Sequence, residues 1–365
     1  MNNAGKVGID RKLRVGVIGC GTMGQTHVRA YGLLGDVVEI VALCDFNAER
    51  LEGLTQDWPV ARTEADYTAL LDPADLDLVS VCTMPQTHHE ITVAALEAGA
   101  HVLCEKPFAM DLAQADQMLH AADRVGRHIQ VGTNMRHMRE AGILRDLVAS
   151  GAIGKPAYIR AWSYYPSIPW WGLHTIKRIS AGGAMASTAI HILDVALWVA
   201  GSPDPLTVSG STHKLFPKKR METAPSAELR DSYDVEDIAV AHIRLSDDIS
   251  LILEGTWAHE RRESHLSFEI VCEKGTVSLS PLTILIDEGG KIVDRTSDYA
   301  DSATNGDGWI ESVNRGIARF VRAIRTGSDP SQTPREIRNL QQIQDAIYQS
   351  AETGREVRLD ADTPE

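Results

Sequence analysis

The chain has 365 residues, a formal net charge of −14 and 43% hydrophobic residues. A chain of this length suits two domains, each large enough to bury an apolar core. The excess of acidic residues argues against nucleic acid and against anionic membrane surfaces as partners, because both bind cationic proteins. A small polar ligand fits this composition better.

The cysteines and the polar N-terminus indicate the compartment. The N-terminal residues have no apolar signal core, and no run of about 18 apolar residues occurs. The five cysteines stand singly, without the paired spacing of zinc sites, and one is left over from any disulfide scheme. We therefore expect a cytoplasmic protein with reduced thiols. Because the histidines form no spaced cluster with carboxylates, no metal site is expected.

Strand-like and helix-like segments alternate along residues 1–133. The β-branched runs LRVGVIG and VVEIVALCD each precede a segment with helical apolar spacing, and LDLVSVCT, HVLCEKP and RHIQVGTN continue the pattern. This alternation predicts an α/β fold, with an N-terminal Rossmann domain built on a doubly wound parallel sheet.

Residues 134–365 have a different pattern. Alternating segments such as KPAYIRAWSYY, DIAVAHIRLSD and ISLILEGTWAH follow one another with short turns, and two amphipathic helices come last. We predict a C-terminal α+β domain with a large open, mainly antiparallel sheet and helices on one face. The polar residues 216–236 are predicted to form a long surface loop.

The glycines of VGVIGCGTMG stand between a predicted strand and a predicted helix. Gly19, Gly21 and Gly24 give the spacing G-x-G-x-x-G, with Thr22 and Met23 between the last two glycines. The first glycine allows a tight turn, the second lets the backbone approach a pyrophosphate, and the third lets the helix pack closely. In this setting the motif favours a dinucleotide site over a plain glycine-rich turn.

Asp45 lies 21 positions after Gly24, at the end of the second predicted strand. A carboxylate there accepts hydrogen bonds from ribose hydroxyls and repels a 2′-phosphate, and the following Phe46 and Asn47 supply no cation. The predicted cofactor is NAD, with NADP disfavoured. The alternative interpretation makes Asp45 the N-cap of the next helix.

Two further segments carry groups suited to acid–base chemistry. In HVLCEKP, Glu105 and Lys106 follow a buried-looking strand at the sheet edge where ligands bind. In AGGAMASTAIHILDVALWVAG, Ser187, His191 and Asp194 share one helix face. From the residues alone, a surface Lys–Glu pair and a satisfied core histidine are the simpler interpretations.

Six segments in series change those interpretations. GCGTMGQTH, TMPQTHHE, ALEAGAHVLCEKP, VGTNMRH, SGAIGKP and GGAMASTAIHILD resemble the Gfo/Idh/MocA family, named for glucose-fructose oxidoreductase and inositol dehydrogenase. The resemblance extends from residue 13 to the end of the chain. It implies a nicotinamide-dependent dehydrogenase acting on sugars, cyclic polyols or their derivatives, and homodimers or homotetramers formed through the C-terminal sheet.

The resemblance also implies roles for single residues. Lys106 would stand beside the substrate carbinol and stabilise a developing alkoxide, while His191 would take the hydroxyl proton. Ser187 stands where the family has an aspartate, and Ala189 where it has a glycine. Ser187 either removes a charge that would act on His191 or accommodates a bulkier substrate, and the sequence does not decide between them.

Supporting positions follow from the same comparison with the family. Thr83, Pro85 and His88 match the segment that lines the nicotinamide side of the cleft. Glu105 is expected to bond the cofactor ribose or to orient Lys106, and Asp194 is interpreted as a structural partner on its helix. Asn134 and Arg136 fall at the domain junction and are expected to reach the substrate.

Residues 163–178 form the variable segment that is expected to set specificity. Its aromatic and polar side chains are expected to form a floor and rim for a sugar or cyclohexane ring: Tyr164, Trp170, Trp171, His174 and Lys177. Aromatic packing at a subunit interface is the alternative. The leading expectation is an NAD-dependent dehydrogenase of a secondary hydroxyl, and the alternatives are a glycosidase that retains NAD, a dihydrodiol dehydrogenase and a catalytically silent sensor.

Overall fold

Two compact units make up the computed structural model, which describes residues 10–72, 75–215, 224–300 and 308–359. The first unit comprises Met1–Asn134 and Gly308–Arg338, and the second comprises Met135–Asp307 and Asn339–Glu365. The division expected from the sequence kept residues 134–365 together. The structure differs from it because the helical segment 308–338 packs with the first unit.

The first unit is built on six parallel strands. They are β1 (Leu13–Ile18), β2 (Val38–Cys44), β3 (Arg62–Glu64), β4 (Leu78–Val81), β5 (His101–Cys104) and β6 (Ile129–Val131). Their order in the sheet is β3-β2-β1-β4-β5-β6. This order is that of a doubly wound dinucleotide-binding sheet, so the predicted Rossmann architecture is confirmed.

Helices connect these strands and continue through the second unit. In chain order they are α1 (Thr22–Gly32), α2 (Ala48–Asp57), α3 (Tyr67–Leu71), α4 (His88–Glu97), α5 (Leu112–Val125), α6 (Arg139–Ala149), α7 (Lys177–Ser180), α8 (Ile190–Val199), α9 (Ala227–Asp231), α10 (Ser297–Ala300), α11 (Trp309–Thr326) and α12 (Pro334–Thr353). Side chains of Asn47, Asp66 and Asp111 cap α2, α3 and α5 by accepting backbone N–H bonds.

The second unit contains a nine-stranded sheet. Its strands are β7 (Pro156–Tyr164), β8 (Pro205–His213), β9 (Ile238–Leu245), β10 (Ser250–Thr256), β11 (His265–Cys272), β12 (Gly275–Ser278), β13 (Thr283–Asp287), β14 (Ile292–Asp294) and β15 (Val357–Arg358). The order is β14-β13-β12-β11-β7-β10-β9-β8-β15, and among the strands that the structure describes here only the β7–β10 pair is parallel. The predicted mainly antiparallel sheet is confirmed.

One face of this sheet packs against α8. Ile159 and Ala161 of β7 and Leu253 of β10 join residues of α8 in a single apolar core. A Cβ at Gly255 would lie 2.8 Å from the Cβ of Ala189, so β10 also faces the turn before α8. Because side chains alternate along a strand, the even-numbered residues of β7 and β10 project from the opposite face.

Two segments of the second unit are a long apolar stretch and the predicted surface loop. Among the described residues, 177–199 is a stretch apolar and long enough to cross a membrane, but 89% of its most apolar window is buried inside the protein, as in the core helix of a globular domain. In the predicted surface loop 216–236, residues 216–223 lie outside the described part, while Ala227–Asp231 form α9.

Helix α11 completes the core of the first unit. Its buried residues Val313, Ile317 and Phe320 pack with Val28 and Tyr31 of α1 in one apolar cluster. The helix ends at Gly327, whose positive φ of 64° forms a left-handed C-cap. An amphipathic pattern identified this helix in the sequence, but the pattern carries no information about which core the apolar face joins.

Truncation of a buried side chain of α11 should therefore destabilise the first unit. Ile317 is 2% exposed and Ile310, on the same helix, is 59% exposed. We expect Ile317→Ala to lower the free energy of unfolding by about 2–5 kcal/mol, because it leaves a cavity, and Ile310→Ala to change it by less than about 0.5 kcal/mol. Urea unfolding of both variants checks this, and equal midpoints would contradict the packing.

Candidate active site

The glycine-rich loop after β1 has the shape of a pyrophosphate cradle. Gly19 has a φ of +91°, and a Cβ there would lie 2.6 Å from the Cys82 carbonyl. A Cβ at Gly24 would lie 1.8 Å from the Gly19 oxygen, whereas a Cβ at Gly21 would meet nothing within 4 Å. Gly21 thus leaves open space above the loop, where the backbone can approach a ligand closely.

The N-terminus of α1 is suited to an anion. The helix begins at Thr22 and Met23, its N-cap Gly21 supplies no side-chain bond, and its first turn holds no acidic residue. The N–H groups of a first turn and the helix dipole together favour a bound phosphate. The residues of this loop therefore fit NAD.

Asp45 ties the glycine-rich loop to the end of β2. Its carboxylate is 5% exposed and accepts hydrogen bonds from the backbone N–H groups of Cys20, at 2.7 Å, and Asn47, at 2.8 Å. Asn47, and not Asp45, is the N-cap of α2, because its side chain accepts from the Arg50 N–H at 3.1 Å. Arg50 Nη1 also lies 3.7 Å from Asp45 Oδ2, so a cation is present beside Asp45 although the residues directly after it supply none.

Internal hydrogen bonds hold the segment that follows β4. Pro85 begins a 3₁₀ turn, and the Thr87 hydroxyl donates to Thr83 Oγ1 at 2.9 Å. His88 is fully buried, with Nδ1 2.8 Å from the Pro107 carbonyl and Nε2 3.1 Å from the Thr83 carbonyl. Burial lowers the pKa of His88. The expected place of His88 on the cofactor cleft is not supported, because its ring is enclosed by backbone groups and joins two strand ends.

Glu105 and Lys106 follow β5 directly. Glu105 is 4% exposed, and its Oε2 accepts from the Lys106 backbone N–H at 3.2 Å. Lys106 is half-buried, and the peptide bond to Pro107 is cis. Burial lowers the pKa of Lys106, while the adjacent Glu105 carboxylate acts to raise it. This geometry favours an orienting role for Glu105 over a direct bond to ribose.

Parallel strands bring these groups to one edge of the sheet. Gly19 follows β1, Asp45 follows β2, Thr83 follows β4 and Lys106 follows β5, and these four strands are neighbours. Their carboxyl ends meet at the same edge, where doubly wound folds bind ligands. The first unit thus combines a dinucleotide cradle with a half-buried lysine.

A π turn precedes the helix that carries His191. Met185–Ala189 form this turn, which contains Ser187, and α8 continues from Ile190. Ser187 is fully buried and its N–H donates to the Gly183 carbonyl at 2.9 Å, while His191 is half-buried. Wide turns of this kind occur often at functional sites.

Glu236 holds the start of this segment, and no motif in the sequence marks it. Its buried carboxylate accepts from the N–H groups of Gly183 and Met185, both at 2.9 Å, and lies 3.0 Å from the Tyr348 hydroxyl. Burial raises the pKa of Glu236. A Cβ at Gly182 would lie 1.9 Å from the Tyr348 oxygen, and one at Gly183 would lie 2.0 Å from the Glu236 carbonyl. Only glycine therefore fits at positions 182 and 183, where the backbone lies against Tyr348 and Glu236.

Arg136 does not occupy the expected substrate position. Its Nε and Nη2 donate to the Asp194 carboxylate at 2.9 and 2.5 Å, and both side chains are 2% exposed. The guanidinium also lies 5.7 Å from the ring centroid of Trp198. Arg136 and Asp194 form a buried bidentate pair inside the second unit, in line with the structural reading of Asp194. Asn134 is 7% exposed in the 3₁₀ turn Asn134–His137.

Tyr164 lies on the sheet face away from α8. Its hydroxyl donates to Glu254, and its ring stacks on His259 with centroids 4.7 Å apart. Because Gly255 faces Ala189, the neighbouring Glu254 projects from the opposite face, and Tyr164 follows it. The structure therefore does not bring Tyr164 together with His191, contrary to the expected substrate role.

The rest of the variable segment stays on the side of the π turn. Trp171 is 46% exposed and meets Tyr165 edge to face at 6.1 Å, and His174 is half-buried. Ile168 packs with Ala184, Val235 and Trp257 in a small buried cluster. Trp257 Nε1 donates to the Thr188 hydroxyl at 3.1 Å. This cluster anchors the segment beside Ser187.

Comparison with known proteins identifies the family of this chain. Residues 13–133 match the family model described as "Oxidoreductase family, NAD-binding Rossmann fold", and residues 143–278 match the Gfo/Idh/MocA C-terminal domain. The chain belongs to the Gfo/Idh/MocA family. This Gfo/Idh/MocA protein is an oxidoreductase whose cofactor is NAD.

Relatives of this Gfo/Idh/MocA chain match it over nearly its whole length. D-glucoside 3-dehydrogenase of Escherichia coli is 30% identical over 355 residues, 95% of this chain and 97% of that protein. Myo-inositol 2-dehydrogenase of Thermotoga maritima is 26% identical, over 95% and 99%. An oxidoreductase domain protein from Kribbella flavida superposes with a TM-score of 0.85 at 25% identity, covering 96% of this chain and 100% of its own.

A solved levoglucosan dehydrogenase, in complex with NADH and L-sorbose, shares the fold. It superposes with a TM-score of 0.84 at 23% identity, over 96% of this chain and 99% of that chain.

Substitution of the loop glycines should separate cofactor binding from folding. Gly21→Ala adds a Cβ into open space, so we expect an unchanged unfolding midpoint and an NAD affinity at least about tenfold lower, because the methyl group blocks the approach of the pyrophosphate. Gly24→Ala places its Cβ against backbone and should lower the unfolding midpoint as well. Calorimetric titration with NAD measures the affinity, and wild-type affinity in Gly21→Ala would contradict the cradle.

Loss of the Glu236 carboxylate should loosen the π turn. Glu236→Ala leaves the N–H groups of Gly183 and Met185 and the Tyr348 hydroxyl without this acceptor, which should cost about 2–5 kcal/mol of unfolding free energy. Glu236→Gln keeps an acceptor oxygen and should cost less than half as much. Thermal unfolding of the two variants measures the difference, and equal losses would mean that the hydrogen bonds do not carry the effect.

Proposed function

We propose that the protein oxidises a secondary hydroxyl of a sugar, a cyclic polyol or a derivative with NAD, or runs the reverse reduction. The observation that carries this proposal is the half-buried Lys106 at the carboxyl edge of the sheet that also carries the glycine-rich loop. A cation at that edge is suited to a reacting oxygen beside a dinucleotide. The proposal fits an oxidoreductase family with an NAD-binding Rossmann domain.

The proposed chemistry divides between two side chains. When bound, NAD supplies the hydride acceptor. Lys106, as an ammonium cation, stabilises the negative charge that develops on the carbinol oxygen. His191 takes the hydroxyl proton, because imidazole is the side chain that most often acts as a general base.

The substrate class rests on relatives and on the variable segment. The two curated relatives named above are a glucoside 3-dehydrogenase and an inositol 2-dehydrogenase, and both names denote oxidation at a ring carbon. The exposed Trp171 offers an apolar face that suits the C–H surface of such a ring. A glycosidase that retains NAD and a dihydrodiol dehydrogenase receive no comparable support.

Localisation and assembly are part of the same proposal. We assign the protein to the cytoplasm and expect a homodimer or homotetramer through the outer face of the nine-stranded sheet. Tyr158 and Val240 on that face are 36% and 42% exposed. An open sheet face with exposed apolar side chains is an aggregation risk unless another surface covers it.

The first experiment follows absorbance of reduced nicotinamide with cofactor-stripped protein, NAD or NADP, and a panel of glucosides, inositols, aldoses and dihydrodiols. We expect signal with NAD on a sugar or polyol, and a fall of about 10²–10⁴-fold in kcat for Lys106→Ala, because the developing alkoxide loses its cation. Lys12→Ala, at an exposed lysine, is the control and should match the wild type.

Two results would overturn the proposal. Wild-type turnover by Lys106→Ala would remove the lysine from the chemistry. Hydrolysis of a glycoside without net NADH, together with NAD that copurifies with the protein, would instead favour the glycosidase.

A further inference from the structure

Helix α1 carries a histidine and a tyrosine into the core of the first unit. His27 and Tyr31 are four residues apart and share one helix face. His27 is 1% exposed and Tyr31 is fully buried. Neither belongs to the glycine-rich loop, and no step proposed above uses either residue.

These side chains form a hydrogen-bonded chain that ends at Glu105. His27 Nε2 lies 3.2 Å from Glu105 Oε1, and His27 Nδ1 lies 3.1 Å from Ser80 Oγ. The Tyr31 hydroxyl lies 2.7 Å from the same Ser80 oxygen. Ser80 is on β4 and is fully buried, so the whole chain is enclosed beneath the carboxyl edge of the sheet.

The chemistry of these side chains sets the direction of the hydrogen bonds between them. A carboxylate oxygen is an acceptor, so His27 Nε2–H donates to Glu105 Oε1, and in that tautomer Nδ1 is the acceptor. The Ser80 hydroxyl then donates to Nδ1, and the Tyr31 hydroxyl donates to Ser80. Burial raises the pKa of Tyr31, and it raises that of Cys82, whose Sγ lies 3.4 Å from His27 Nδ1, so both stay protonated. Every donor thus points towards the carboxylate.

Glu105 is confined on its other side as well. A Cβ at Gly132 would lie 2.3 Å from Glu105 Oε1, so the carboxylate lies directly against this glycine. Its Oε2 accepts from the Lys106 backbone N–H at 3.2 Å. His27 and Gly132 together set where the negative charge stands relative to Lys106.

We propose that His27 is a positioning residue for Lys106 and acts through Glu105. This inference rests on the proposed function, in which Lys106 is the cation beside the reacting oxygen. A buried carboxylate without a strong donor is costly and tends to take up a proton. The N–H of His27 keeps Glu105 ionised and in place, and the Glu105 charge keeps Lys106 protonated.

Titratable groups from three structural elements face His27. His27 is faced by Glu105 after β5, by Cys82 after β4 and by Tyr31 on its own helix. For Lys106, burial lowers the pKa and Glu105 opposes that shift. Neutralisation or displacement of Glu105 should therefore let Lys106 lose its proton at lower pH.

The test measures the charge state of Lys106 without any substrate. The full-length protein is acetylated with trace acetic anhydride across a pH series, and peptide mass spectrometry follows Lys106 against the exposed Lys12 as internal reference. We expect the midpoint for Lys106 to fall by about one pH unit in His27→Leu and in Glu105→Gln, which is about tenfold faster acetylation at a fixed lower pH. His27→Gln keeps an N–H donor near the Nε2 position and should stay near the wild type.

A purely structural role predicts a different pattern. If His27→Leu lowers the unfolding midpoint but leaves the Lys106 profile unchanged, while Glu105→Gln shifts it, His27 only fills space and the proposal is wrong. If Glu105→Gln also leaves the profile unchanged, the link from Glu105 to Lys106 is wrong. If His27→Leu does not fold, His27→Phe, which keeps an aromatic ring but has no N–H donor, must give the shift, and a wild-type Lys106 profile in that variant overturns the proposal.

The activity assay keeps the two proposals distinguishable. If the wild type oxidises nothing in the substrate panel, or Lys106→Ala turns over normally, the proposed function fails, while the acetylation profile still decides whether His27 acts on Lys106. If the wild type is active, His27→Leu should lower kcat with a shifted pH profile and leave NAD affinity unchanged, because the glycine-rich loop is untouched.

Discussion

The close approach of Gly24 to Gly19 is the contact on which the rest of the first unit depends. No side chain fits between the start of α1 and the loop, because a Cβ at Gly24 would lie 1.8 Å from the Gly19 oxygen. The contact aims the first turn of α1 at the ligand edge of the sheet. It also fixes the depth at which His27 and Tyr31, one and two turns later, enter the core. A single packing constraint therefore positions both the glycine-rich loop and the hydrogen-bonded side chains that end at Glu105.

Much of this unit could be predicted from the sequence because its signals are local. These signals are runs of β-branched residues, glycines at fixed spacing and an aspartate at a strand end. Each of them can be recognised within a short stretch of sequence. The rule that parallel strands collect ligands at their carboxyl edge then brings Asp45, Thr83 and Lys106 together without any knowledge of side-chain contacts. The same local signals identified the strands of the second unit.

What the sequence did not reveal depends on partners far along the chain. Glu236 bonds backbone groups about 50 residues earlier, and nothing near it marks a buried carboxylate. Arg136 is expected to reach the substrate from its position at the domain junction, and its partner Asp194, 58 residues away, gives no local signal of the buried pair. For Tyr164 a signal existed: strict alternation along β7 places it on the face opposite Ile159 and Ala161. Counting every second residue from those apolar positions would have placed Tyr164 on the sheet face that does not pack against α8.

The position of α11 has a consequence for synthesis of the chain on the ribosome. The first unit is discontinuous, since residues 135–307 separate its sheet from the helix that covers Val28 and Tyr31. At translation rates of about 5–20 residues per second, that interval lasts on the order of ten seconds or more. During this time the apolar face of α1 emerges without its cover, and exposed apolar surface of this kind is prone to aggregation. The nascent N-terminal half thus cannot complete its core until the second unit has been made.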